Sequence, residues 1–121
     1  LQWTADFKNA ANQKFVKDFE AKYKTEPSFY AAQSYDAANL IASAVAAVKG
    51  NLSNKDAVRK ALEKADFKSV RGDFKFGPNH YPTQSFYMQT VVKEGDTYTQ
   101  KTTAVADKDV PNPHASKCSM K

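Results

Sequence analysis

A single cysteine, Cys118, stands among the 121 residues, so no disulfide closes within the chain, and the thiol reports on redox compartment only if a partner lies elsewhere. Glycine is nearly as scarce, at four residues, and none of the four builds a phosphate-cradling loop, which removes the usual signal of nucleotide binding. The two histidines, His80 and His114, lie in a proline-flanked turn and a polar tail; with Cys118 they show no C-x-x-C or H-x-x-x-H spacing, so neither a metal centre nor a Cys-His nucleophile is expected. Long apolar runs are missing too. The longest candidate, "AANLIASAVAAV", falls short of the roughly 18 residues a spanning helix needs. No converging acid, base or nucleophile is visible, which argues against an enzyme, and no cofactor is implied.

Charge is abundant but mixed. Eighteen Lys and Arg face thirteen Asp and Glu, a net of +5, yet Lys14, Lys17, Lys22 and Lys24 are interrupted by Asp18, Glu20 and Glu26. Lys55, Arg59, Lys60 and Lys64 are likewise broken up by Asp56, Glu63 and Asp66. These are solvated helix faces, not the one-sided patch a nucleic acid requires. The opening "LQWTADF" has neither an initiator Met nor a charged-then-apolar leader and reads as a processed end or an internal cut.

Three helices are predicted. In "NAANQKFVKDFEAKYKTEP", Phe15, Phe19 and Tyr23 recur every four residues with Val16 beside them, and Pro27 marks the stop. The second is expected over 30–49, with Tyr35, Ala38, Ile41, Ala42, Val45 and Val48 along its apolar side and Gly50 after it. The third, in "NLSNKDAVRKALEKADF", has Ser53 three residues before Asp56, a capping-box spacing, then Val58, Ala61, Leu62 and Ala65. A short strand is expected at 73–76. Two longer strands then follow, joined around Glu94-Gly95-Asp96. The segment after Ala106 reads as extended or poorly ordered. Three helices with so little sheet leave their apolar faces without the strands that an α/β domain normally supplies.

Trp3, Phe29, Tyr30 and Tyr35 gather at the start of the chain and of the second helix. Tyr35 reads as core; Trp3, Phe29 and Tyr30 read equally as packing or as contacts to a small ligand.

The stretches "PSFYAAQSYDAA", "LSNKDAVRKAL" and "SVRGDFKFGPNHYPTQSFYM" together carry a resemblance. Over residues 1–105 or so the chain resembles the C-terminal third of the periplasmic solute-binding proteins of bacterial ABC transporters, the branched-chain amino acid (leucine/isoleucine/valine) type. The resemblance implies an α/β fragment of a two-lobed type I periplasmic binding protein: three helices of one lobe plus a β-hairpin of the other. Residues 1–84 would belong to the first lobe, including the second hinge crossing, and 85–121 to the second lobe with the C-terminal tail.

The implied hinge positions are Thr4, Ala5, Gln84 and Ser85, and the implied ligand contacts are Trp3, Tyr30, Ala32 and Gln33. In the family a position near Ala32 commonly presents an aromatic side chain to the solute. An alanine there leaves room for a solute larger than leucine, such as an aromatic acid. Residues that grip an amino acid's carboxylate and ammonium fall outside this part of the family's sequence.

"RGDFKFGPNHYP" would shape the re-entry before the third crossing, although a plain helix-to-strand loop fits its residues as well. The implied partners are a small-molecule solute, the transporter's permease and the remainder of the parent chain, with no nucleic acid. The implied location is the periplasm, reached by a signal peptide on the parent, where Cys118 would find any disulfide partner in the second lobe. The same fold also serves as the sensing domain of receptors and regulators. By itself the chain is expected to bind weakly and to associate with itself, by exchange of the long hairpin.

Overall fold

A computed structural model describes residues 1–118. Helix α1 spans Ala10–Tyr23, α2 Phe29–Ala47 and α3 Lys55–Lys64; strands β1 (Lys75–Phe76), β2 (Pro82–Glu94) and β3 (Thr97–Val110) follow, then a single 3-10 turn at Ala115–Lys117. The strands form one antiparallel sheet in the order β1-β2-β3.

Each helix begins on a side chain that accepts a backbone N–H left free by the first turn. Asn9 accepts from Asn12, Ser28 from Ala31 and Asn54 from Ala57. The third case corrects the expectation at Ser53, because Asn54 is one residue closer to the helix and its amide oxygen reaches the Ala57 N–H at 3.1 Å. Asn54→Ala should therefore lower stability by about 1 kcal/mol, while Ser53→Ala should leave it within about 0.5 kcal/mol; urea denaturation of the two variants measures the difference.

Helix α1 stops before Pro27 is reached. Lys24 turns left-handed (φ 59°) and its N–H closes on Glu20 at 2.9 Å. Pro27 is buried and instead leads into the cap of α2.

The core is small. Trp3, Phe15, Ala32 and Val70 form its centre, with Ala5, Phe7, Val16, Phe19, Phe29, Ala31 and Tyr35 packed around it. Phe15 lies edge-on to Trp3 at 6.0 Å and tilted against Tyr35 at 4.7 Å, the offset arrangements aromatic rings prefer. Helix α2 buries Ala32, Asp36 and Ala44; of the stripe expected from its sequence, Tyr35, Val45 and Val48 are half-buried, with Tyr35 packed on the core, and Ala38, Ile41 and Ala42 stand exposed. An alanine-rich helix carries two apolar faces, and within this chain only one of them meets a neighbour. The chain exposes 8498 Å², against roughly 6,500 Å² for a compact monomer of 13.4 kDa. The helices keep an open side.

The ribbon of β2 and β3 is the longest element pair, at 13 and 14 residues. Its tip pairs Glu94 with Thr97 across Gly95-Asp96. Gly95 has φ 60°, the left-handed region required of the first loop residue of a II′ hairpin. Lys101 pairs with Glu94 at 3.1 Å near the tip, and that hydrogen bond raises its pKa above the ordinary lysine value. The segment after Ala106, expected to be extended or poorly ordered, is extended as far as Val110: its residues "DKDV" continue β3, paired through the backbone with Phe86 and Gln84.

The "RGDFKFGPNHYP" segment folds as two turns. Ser69 to Gly72 closes on itself at 3.2 Å, with Gly72 at φ 93°. Gly77-Pro78-Asn79-His80 closes at 3.0 Å with proline at its second position, where a fixed φ suits the turn. Between them β1 pairs Lys75 with Thr83 and Phe76 with Pro82. The expected four-residue strand is two residues long.

Candidate functional site

Two extended segments pass from the helical layer to the ribbon: residues 1–6 and the start of β2. They are laced together. Leu1 exchanges hydrogen bonds with Tyr87 (2.9 and 3.1 Å), and Gln89 Nε2 donates to the Trp3 carbonyl at 3.0 Å. Further along, Thr4 Oγ1 donates to the Gln100 carbonyl at 3.1 Å, and Asp6 accepts both the N–H and the hydroxyl of Thr102. Register shifts in the ribbon cluster between Gln84 and Gln89, beside this contact; such bulges increase local twist and turn strand edges.

The same segments are anchored to the helices in two ways. Trp3 is buried at 3% exposure. Its indole N–H donates to Asn12 Oδ1 at 2.6 Å, and the Asn12 amide donates in turn to the carbonyls of Ala5 and Phe7. Asn12 is fully buried and satisfied on both sides.

The second anchor is polar. Asp36, on the buried face of α2, is 2% exposed and accepts from Ser69 Oγ (2.6 Å), Val70 N (2.9 Å) and Arg71 Nε (3.1 Å). Arg71 Nη1 then reaches Gln84 Oε1 at 2.9 Å, and its guanidinium lies over the Phe74 ring at 4.8 Å. A buried carboxylate is tolerated when its charge is paired and its lone pairs are used, and here both conditions hold.

A cavity of about 290 Å³ opens beside the two segments, lined among others by Gln2, Arg71, Gln84, Ser85, Tyr87 and Lys108. Ser85 Oγ accepts the Asp109 N–H at 3.1 Å on its far wall.

The four expected ligand contacts divide between core and surface. Trp3 and Ala32 sit in one core cluster, and Ala32 is 1% exposed. Tyr30 is 76% exposed in the first turn of α2, edge-on to Phe29 at 5.8 Å, and Gln33 is exposed one turn on. Of the expected hinge residues, Thr4 is buried and hydrogen-bonded to the ribbon, Ala5 packs on the core, and Gln84 and Ser85 line the cavity. Asn12 and Asp36 do not stand out from sequence, and Arg71 does so only as part of its corner motif. An aspartate inside an alanine-rich helix was the available signal for Asp36. Among the described residues, no group of three His, Cys, Asp or Glu side chains stands where it could hold a metal, and no helix is long and apolar enough to cross a membrane.

Three helices, a long antiparallel ribbon and two interlaced segments between them define an α/β piece of a type I periplasmic binding fold. The family model described as "Periplasmic binding protein" matches residues 1–96, and the chain belongs to that family. Among solved structures, it is similar to an ABC-transporter solute-binding protein from R. palustris in complex with benzoate. The identity is 36% and the TM-score 0.85, covering 93% of this chain and 30% of that one. An ABC transporter substrate-binding protein from Sphaerobacter thermophilus matches at 26% identity and TM-score 0.78, covering 89% of this chain and 30% of that one. A solute-binding protein from Rhodopseudomonas palustris BisB5, in complex with 3,4-dihydroxybenzoic acid, shares the fold at 24% identity and TM-score 0.77, over 93% of this chain and 31% of that one. The chain thus spans about 30% of the length of these structures. No curated protein matched it.

Proposed function

We propose that the chain is part of the substrate-binding component of an ABC transporter, which captures a small aromatic acid between two lobes, without catalysis, and delivers it to the permease. The observation that carries this reading is the similarity to the R. palustris protein bound to benzoate. It favours aromatic acids over the branched-chain amino acids implied by the sequence resemblance. Residues 1–84 would complete one lobe and 85–121 the other, on the periplasmic or outer side of the membrane. Closure of two lobes around a solute is a hinge motion, absorbed by a few residues at segment ends.

Within this chain the side chain best placed to meet the solute is Tyr30. It is the exposed aromatic of the first turn of α2, next to the backbone N–H groups that a helix start offers to a carboxylate. Trp3 and Ala32 then act behind it, as packing that sets where α2 begins. The apolar faces left open here, including Ile41 at 57% exposure, are where the rest of the parent protein would lie. In its absence they supply the drive for self-association, which sedimentation analysis reads directly.

Benzoate, hydroxybenzoates and leucine should be screened by thermal shift against the full-length protein that carries this chain. Benzoate at about 100 times its Kd should stabilise the protein by about 2.7 kcal/mol, and Tyr30→Ala should weaken that binding by about tenfold. A melting temperature unmoved by every acid in the panel would overturn the reading.

A further inference from the structure

The two segments that join helices to ribbon are tied to different helices. Residues 1–6 are hydrogen-bonded to α1 through Trp3 and Asn12 and meet α2 only through the apolar packing of Trp3 and Ala32, which has no preferred direction and allows small sliding. The start of β2 is held by a directional chain of hydrogen bonds, from Asp36 through Arg71 to Gln84. Planar guanidinium contacts fix orientation as well as distance. Arg71 is itself immobilised: its side chain is 15% exposed, its head is shared between Asp36 and Gln84, and the Phe74 ring lies beneath it. Asp36 is fixed from its other side by Ser69 and the Val70 N–H. Gln84 pairs with Val110 on β3 immediately before the first register shift, so Arg71 grips β2 beside the place where the ribbon bends.

We propose that Arg71 is a positioning residue that transmits the placement of α2 to the β2 crossing, so that a solute touching the first turn of α2 biases the angle of the ribbon through Arg71 and Gln84. This rests on the reading that β2 crosses between lobes, and it goes beyond that reading by naming the coupling. The link is a side-chain chain with two ends. Asp36 belongs to the helix that carries Tyr30, and Gln84 belongs to the segment that must turn when the lobes close. A change at either end is felt at the other only while the guanidinium bridges them.

Amide hydrogen exchange on the full-length protein that carries this chain tests this with no solute present, so its outcome is separate from whether aromatic acids bind. Gln84→Leu removes the acceptor and leaves the Asp36–Arg71 pair in place. Amides over 82–88 should then exchange about tenfold faster while those of α2 are unchanged. Arg71→Lys keeps the charge beside Asp36 but not the planar fork, and should accelerate the same β2 amides. Gln84→Glu retains an acceptor and adds a charge; those amides should exchange at the wild-type rate or more slowly. Unaltered β2 exchange in Gln84→Leu, equal acceleration of α2 and β2 in that variant, or exchange in Gln84→Glu as fast as in Gln84→Leu would each overturn the coupling.

Discussion

Asp36→Ala is expected to lower the stability of this chain by about 3–5 kcal/mol, the scale measured when one member of a buried ion pair is removed. Three donors converge on the carboxylate: the Ser69 hydroxyl, the Val70 N–H and Arg71 Nε. Alanine would strand all of them where little water reaches, since Ser69 is 3% and Val70 0% exposed. Most of the loss is the cost of the unpaired groups left behind, not the worth of the pair itself. Asp36→Asn is the informative companion, because its single amide oxygen can still accept the Val70 N–H, while the NH2 that replaces the other oxygen can only donate toward the Ser69 hydroxyl and removes both the charge and the acceptor opposite Arg71 Nε. Its loss should be about half as large. Urea denaturation of the three proteins measures both steps, and an Asp36→Ala loss below about 1 kcal/mol would mean that the pair behaves as a surface salt bridge.

Trp3→Ala should cost about 3–5 kcal/mol as well, for a different reason: it removes the largest side chain of a small core and leaves a cavity against Phe15. Trp3→Phe should cost about 1–3 kcal/mol, mainly because Asn12 Oδ1 then loses its buried indole partner. The same variants separate packing from ligand contact. As a core residue, Trp3 should change the midpoint of denaturation strongly in the isolated chain, with no solute present; a residue serving only to stack on a solute would leave that midpoint where it was. With few buried side chains among the described residues, either alanine substitution consumes a large share of the about 5–15 kcal/mol typical of a domain.

Helix periods and helix starts were legible because they are local. The four-residue recurrence of Phe15, Phe19 and Tyr23, the alanine-rich run of α2 and the Gly95-Asp96 tip of the hairpin each state their structure within a few residues. The failures and the open alternatives lay where a partner chooses between two local options. Asn54 outcompeted Ser53 by one position. The charged end of β3 paired through its backbone in spite of its side chains. Helix α2 turned its Ala32–Asp36–Ala44 face inward because the partners for Asp36 come from Ser69, Val70 and Arg71, 33 to 35 residues further on. No window short enough to read as a helix contains that information.

The candidate site divides in the same way. The family was legible from three motifs, in accord with the family model that matches residues 1–96. Trp3 and Tyr30 both read from sequence equally as ligand contacts or as packing; in the fold Trp3 is buried against Phe15 and bonded to Asn12, while Tyr30 stands exposed. By itself the sequence determined the elements, most of their boundaries and the family, since these follow from short-range periodicity and side-chain chemistry. Tertiary structure decided which face of α2 is inside, that Asp36 and Arg71 tie α2 to the start of β2, and which helix faces stay open, because burial and charge pairing depend on distant residues meeting in space.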